Sequence, residues 1–111
     1  VSGADAPVVY EVTLRVERGV AGEYRRWLDH HVAQMLALPG FRSARLMQQV
    51  EPDVDVAEVV FCCHYLLRDQ AALDEYLREH APRMRADGQA RFGGSFSASR
   101  RVLVLETDFP G

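Results

Sequence analysis

A chain of 111 residues has room for one compact domain and not for a second. With 48% hydrophobic and 26% charged residues it reads as globular rather than disordered, and no apolar run approaches the ~20 residues of a membrane helix. Its 13 basic side chains, all arginine, face 16 acidic ones; the resulting charge of −3 argues against broad contact with a nucleic-acid backbone.

The missing residue types narrow the chemistry. Lys, Asn and Ile are absent, so a lysine Schiff base, a Walker-type phosphate lysine and a lysine general base are all excluded. Cys62 and Cys63 are adjacent in an apolar strand-like run, where neighbouring side chains point to opposite faces. Two free thiols and a cytoplasmic setting are therefore expected. Residues 1–7 lack a basic stretch followed by an apolar core, so they read as a tail rather than an export signal.

Val8–Glu17 alternates strictly. Val8, Tyr10, Val12, Leu14 and Val16 share one side and Val9, Glu11, Thr13, Arg15 and Glu17 the other, the pattern of a strand with one apolar face. After Gly19 and Gly22 the period becomes helical, with Tyr24, Trp27, Leu28, His31, Met35 and Leu36 on one stripe. This predicts a helix over Ala21–Leu36, ended by Leu38–Gly40. Phe41–Val50 mixes polar and apolar residues and fits an exposed edge strand, followed by a turn at Glu51–Asp53. Val54–Leu67 predicts a strand covered on both faces, with Val59, Phe61, Cys63, Tyr65 and Leu67 on one side. Glu58, Val60, Cys62, His64 and Leu66 take the other side. Asp69 is the expected N-cap of a helix running to His80, and Pro82–Ala90 forms a further short helix. Ser95–Thr107 is the last strand, and 108–111 a tail.

The order β-α-β-β-α-β over residues 8–107 is that of a ferredoxin-like α+β domain. Its four-stranded antiparallel sheet runs 4-1-3-2, with the helices on one face. The other face carries Val60, Cys62 and Leu66, too much apolar surface to leave in water, and a second copy packed sheet against sheet would hide it. A homodimer is therefore expected.

On Tyr24–His31 (YRRWLDHH), Leu38–Phe41 (LPGF), Ala72–His80 (ALDEYLREH) and Arg91–Phe96 (RFGGSF) the chain resembles the dimeric α/β-barrel superfamily. Within it, it is similar to an uncharacterised family of small bacterial proteins. The superfamily includes small monooxygenases, some cofactor-free and some haem-degrading, and Arg68–Leu73 (RDQAAL) looks like the segment after their third strand. Those enzymes commonly use an asparagine on an early strand, a tryptophan at the end of the third strand and a histidine on the second helix. This chain has no asparagine and places Leu67 at the tryptophan position. Tyr76 or His80 lies near the histidine. The resemblance thus implies the fold more firmly than the activity.

Several residues are candidates in their own right. His64 shares the dimer-facing side with Glu58 and Cys62, next to Glu11 and Arg15. A histidine beside a carboxylate can exchange a proton near neutral pH or be tied down by hydrogen bonds in the seam. Arg15 and Glu58 invite a cross-strand ion pair. Alternatively Arg15, Arg100 or Arg101 grips an anion, although Arg100 and Arg101 must point to opposite faces. Tyr24, Trp27, His31 and Met35 lie on a stripe that either is core or lines a pocket, and His80 is a site residue or a helix cap. Expected ligand contacts are Glu11, Arg15, Trp27, Glu58, His64 and Tyr76, with His64, His31 and His80 as the catalytic candidates. No Cys-x-x-Cys or His-x-x-x-His spacing supports a metal site, and none is expected. Haem is compatible, since one axial histidine suffices. No glycine-rich phosphate loop or serine nucleophile elbow is present. The expected function is a small homodimeric barrel holding an apolar or aromatic molecule. A monooxygenase-like enzyme and a protein-interaction dimer are the alternatives, with neither nucleic acid nor membrane as partner.

Overall fold

The computed structural model describes residues 5–111, so most of the expected N-terminal tail lies outside the described residues. The elements run β1 (Val8–Glu17), α1 (Ala21–Leu36), β2 (Phe41–Gln48), β3 (Glu58–Leu67), α2 (Gln70–Glu79), α3 (Ala81–Phe92) and β4 (Phe96–Val104). The four strands form one antiparallel sheet in the order β2-β3-β1-β4, as the element order predicts.

The alternation of β1 is realised residue by residue. Val8, Tyr10, Val12, Leu14 and Val16 are buried beneath the helices with Val59, Phe61, Cys63, Tyr65 and Leu67 of β3. Tyr24, Leu28 and Met35 of α1 and Ala72, Leu73 and Tyr76 of α2 close over them, so the core lies between one sheet face and the helix layer. Asp69 caps α2 as expected, its carboxylate accepting the Ala72 amide at 2.9 Å. Gly40 enters β2 at φ +85°, and a Cβ there would stand 2.5 Å from that of Ala72. The turn therefore needs glycine both for its backbone conformation and for the close approach of α2.

Several boundaries differ from expectation, among them the end of β2, at Gln48 rather than Val50. β3 begins at Glu58 rather than Val54, because Asp55 turns the chain by accepting the Ala57 amide at 2.8 Å. Arg18 pins that turn through the Val56 carbonyl at 2.7 Å. The pairing of β4 stops at Val104: the Leu105 amide still reaches the Pro7 carbonyl at 2.9 Å, but proline has no N–H to return. α3 is longer than expected, reaching Phe92 before Gly93 turns the chain into β4. The apolar stretch of β4 is also less covered than it reads, with Val102 and Val104 47% and 48% exposed at the sheet edge.

The side of the sheet away from the helices carries Val9, Glu11, Thr13 and Arg15 of β1. Val60, Cys62, His64 and Leu66 of β3 and Arg101 and Leu103 of β4 join them. Val60 is already buried within the single chain, so this side exposes less apolar surface than the sequence suggests. Cys62 and Leu66 are half-buried.

Candidate functional site

Between the sheet and the helices lies a chamber of about 450 Å³. Its floor is Val12, Leu14, Tyr65, Phe96 and Ala98; its walls are Tyr24, Trp27, Leu28, His31 and Met35 from α1, Tyr76 from α2, and Met84 and Gly88 from α3. Arg85 and Arg100, both exposed, stand where the chamber reaches solvent. Two aromatic groups flank it. Tyr24 packs against Phe92 and Phe96 at ring separations of 4.9 and 5.1 Å, while Tyr76 packs against Tyr10 and Phe41 at 5.9 and 5.3 Å.

Helical spacing positions the wall. Trp27 and His31 are one turn apart and their rings stack at 4.7 Å and 19°. The Trp27 indole N–H donates to Asp87 of α3 at 2.6 Å, which fixes the ring across the α1–α3 contact. Gly88 makes room for it: a Cβ there would lie 2.6 Å from the indole edge. On the far side of the same two rings a polar groove runs between α1 and α3, lined by Arg26, His30, Gln34 and Arg91. Trp27 and His31 are thus a partition between groove and chamber.

Burial sets the protonation states inside. Desolvation holds His31 below its ordinary value, helped by the charge of Arg100 and opposed by Asp87, which favours the neutral imidazole. Desolvation also raises the phenols of Tyr24 and Tyr65, and lifts Tyr76 to about 12. All three remain protonated at neutral pH and can donate hydrogen bonds. Arg85 donates to the Tyr10 hydroxyl at 2.9 Å. Desolvation pushes the Cys63 thiol up to about 11 and the Cys62 thiol upward as well, so neither is an activated nucleophile. Both are free, as their opposed directions require.

The sequence candidates divide between the two sheet faces. Trp27, Tyr76 and His31 line the chamber. Glu11, Arg15, Glu58 and His64 lie on the opposite, helix-free side. There Glu11 sits directly across from His64, whose Nε2 is 2.8 Å from Oε2. Arg101 engages the same carboxylate at 2.7 and 3.2 Å, and the Arg101 hydrogen bond, ahead of that from His64, holds the Glu11 carboxyl below its usual range. Arg15 reaches Glu58 at 3.8 Å across a half-exposed surface. The Glu11, Cys62 and His64 ligand atoms lie within 4.8 Å of one another, although no metal-ligand spacing announced them. An ion there would have to displace His64 from Glu11 and compete with the Arg101 guanidinium. His80 is at the α2–α3 junction, where its amide caps Tyr76 at 2.9 Å and its Nδ1 accepts from Arg83 at 2.8 Å. That geometry is a cap's.

Tyr65, Arg85 and Gly88 were not singled out as ligand-facing by the sequence, whereas Tyr24 lay on the stripe of the first helix that either is core or lines a pocket. Tyr65 read as ordinary core in a period-two pattern, and only the gap between layers reveals that it borders a cavity. Arg100 did leave a signal, a charge in register with Phe96 and Ala98 on the apolar side of β4.

A single antiparallel sheet in this order, with every helix on one face, defines the ferredoxin-like α+β class. The chain belongs to the family described as a domain of unknown function (DUF4286), whose model matches residues 7–106. No curated protein matches it. Among solved structures it is similar to SnoaB, a cofactor-independent oxygenase from Streptomyces nogalater, at 15% identity and TM-score 0.69, covering 96% of this chain and 100% of that one. It is similar to Rv0793 from Mycobacterium tuberculosis at 23% identity and TM-score 0.60, covering 95% and 98%. A mutant of MhuD, with two manganese protoporphyrin IX molecules bound per active site, matches at 20% identity and TM-score 0.69, covering 94% and 99%. At these identities the likeness is one of fold.

Proposed function

We propose that the protein is a homodimer that holds a small apolar or aromatic molecule in the chamber of each protomer. The chamber carries this reading: a 450 Å³ space walled by aromatic rings and aliphatic groups, with His31, Arg85 and Arg100 among its polar groups, is the form of a small-molecule site rather than a packing defect. The helix-free sheet side supports the dimer. Val9, Cys62, Leu66 and Leu103 lie on it, and its principal charges, Glu11, His64 and Arg101, already satisfy one another within one chain. Burying these three against a second copy leaves each of them with its partner. Both thiols being free fits a reducing, cytoplasmic setting. Among the described residues no helix is long and apolar enough to cross a membrane.

Titrating the protein with a neutral planar aromatic such as 2-naphthamide tests the chamber, because Trp27, the sole tryptophan, forms its wall and its emission should change on saturation. Ala98→Phe, which fills the floor, should abolish that change. Saturation unaffected by Ala98→Phe would refute the reading. Sedimentation at micromolar concentration tests the dimer, and a persistent monomer would refute it.

His31 supports a second reading, a monooxygenase-like enzyme similar in activity to SnoaB. A neutral imidazole facing the chamber can accept a proton from a bound hydroquinone as it is activated toward oxygen. If haem is the resident group, His31 is the one histidine placed to ligate it, because His64 faces the other side of the sheet and His30 and His80 do not line the chamber. Haem would supply the oxygen chemistry, and Tyr24, Tyr65 and Tyr76 would border it as hydrogen-bond donors. Hydroquinone oxidation or haem degradation lost in His31→Ala supports this reading. Absence of turnover with both substrates would refute it.

A further inference from the structure

We infer that the chamber selects a planar aromatic molecule bearing a carboxylate, with Arg100 and Arg85 receiving the carboxylate at the mouth. This rests on the chamber being a ligand site and adds what kind of ligand it takes.

The argument begins with the sheet. The side facing the helices is otherwise built from uncharged residues: Val8 to Val16 in β1, Val59 to Leu67 in β3, and Phe96, Ala98, Val102 and Val104 in β4 all alternate onto it. Arg100 breaks that run opposite Val12, in the middle of the strand pair. Its guanidinium is exposed at the chamber mouth, so it is open to a partner from solution. Here it forms no ion pair among the described residues, whereas Arg101 on the other side of the strand is held by Glu11 and Arg15 by Glu58. Of these three arginines, Arg100 alone is left to a partner from outside.

The chamber's charge points the same way. Arg85 lines it too, its guanidinium oriented by the Tyr10 hydroxyl at 2.9 Å, and no aspartate or glutamate is among the lining residues. Asp87, on the α1–α3 contact beside the wall, is committed to the Trp27 indole at 2.6 Å and to Arg91 at 3.4 Å. Arg100 lines the cavity, in register with Val12 on the helix-facing side of the sheet. Both guanidiniums line the chamber without an internal carboxylate, and each offers a planar, doubly donating fork that matches a carboxylate better than a neutral amide. Behind them the rings of Tyr24, Trp27, Tyr65 and Phe96 leave space for a flat apolar body.

The test compares 2-naphthoate with 2-naphthamide, equal in shape and different in charge, by isothermal titration against the full chain. The naphthoate should bind about tenfold more tightly, the scale of a charge-assisted hydrogen bond, and the advantage should shrink as salt is raised. Arg100→Gln and Arg85→Gln should each reduce that advantage while leaving naphthamide affinity nearly unchanged. Arg101→Gln, on the opposite face of the strand, should leave it intact. Equal binding of the two compounds overturns the inference and leaves the chamber standing. Binding of neither overturns the chamber reading and this inference with it. A preference that survives both chamber substitutions, or falls with Arg101→Gln, shows that the carboxylate is received elsewhere and overturns the assignment.

Discussion

Gly88→Ala should loosen the chamber wall by one identifiable collision. The added methyl would lie 2.6 Å from Cη2, 3.0 Å from Cζ2 and 3.3 Å from Cζ3 of Trp27, whereas ordinary contact begins near 3.4 Å. The indole must therefore retreat by about 0.8 Å, the difference between 3.4 and 2.6. It is not free to do so, since Asp87 holds its N–H at 2.6 Å and the stacked His31 ring lies at 4.7 Å. Overpacking of this kind costs about 1–3 kcal/mol. Replacing a mid-helix glycine by alanine returns about 1 kcal/mol through helix propensity. We expect a net loss of about 1 kcal/mol in urea unfolding at fixed protein concentration, together with a shifted Trp27 emission maximum. A variant more stable than wild type with unchanged emission would show that Gly88 and the indole are not in contact and that this wall is not built as described.

Gly40→Ala combines a left-handed backbone with a clash against the Ala72 methyl and should cost about 3 kcal/mol by the same unfolding assay. Leu73→Ala empties a fully buried position under α2 and should cost about 2–5 kcal/mol. Burial keeps the folded-state pKa of His31 below its ordinary 6.5, so the unfolded chain binds the proton first. Stability should then decline as the pH falls below 6.5, and His31→Gln should flatten that limb of the melting curve. Arg101 and His64 hold Glu11 below its ordinary 4.5, so its contribution is complete above that pH and is lost as acid protonates it in the fold. Glu11→Gln should be less stable than wild type near neutrality and less sensitive to acid below pH 4.5.

Much of the architecture was legible because it rests on short-range regularities. The alternation of Val8–Glu17, the stripe from Tyr24 to Met35 and the Asp69 cap each depend on neighbours within a turn or a pleat. Boundaries slipped where a distant residue intervened, as when Arg18 bound the carbonyls that end the loop before β3. The candidate site was legible only by halves. Trp27 and His31 were recognisable on a stripe of the first helix and Tyr76 on the second, but the same stripe pattern describes solid core. The Glu11–His64 pair followed from register, yet it occupies the face opposite the cavity.

Local periodicity is a property of the chain, so the order of strands and helices, the side each residue faces and the separation of Cys62 from Cys63 were settled before any packing was known. A cavity is a property of the gap between layers. Whether Tyr24, Met84 and Phe96 meet or stand apart depends on how α1 and α3 settle over the sheet, which in turn depends on Gly88 admitting the indole and Asp87 anchoring it. The tertiary structure alone therefore decided that the chamber lies beneath the helices and that Arg100, rather than Arg15 or Arg101, faces it unpaired among the described residues.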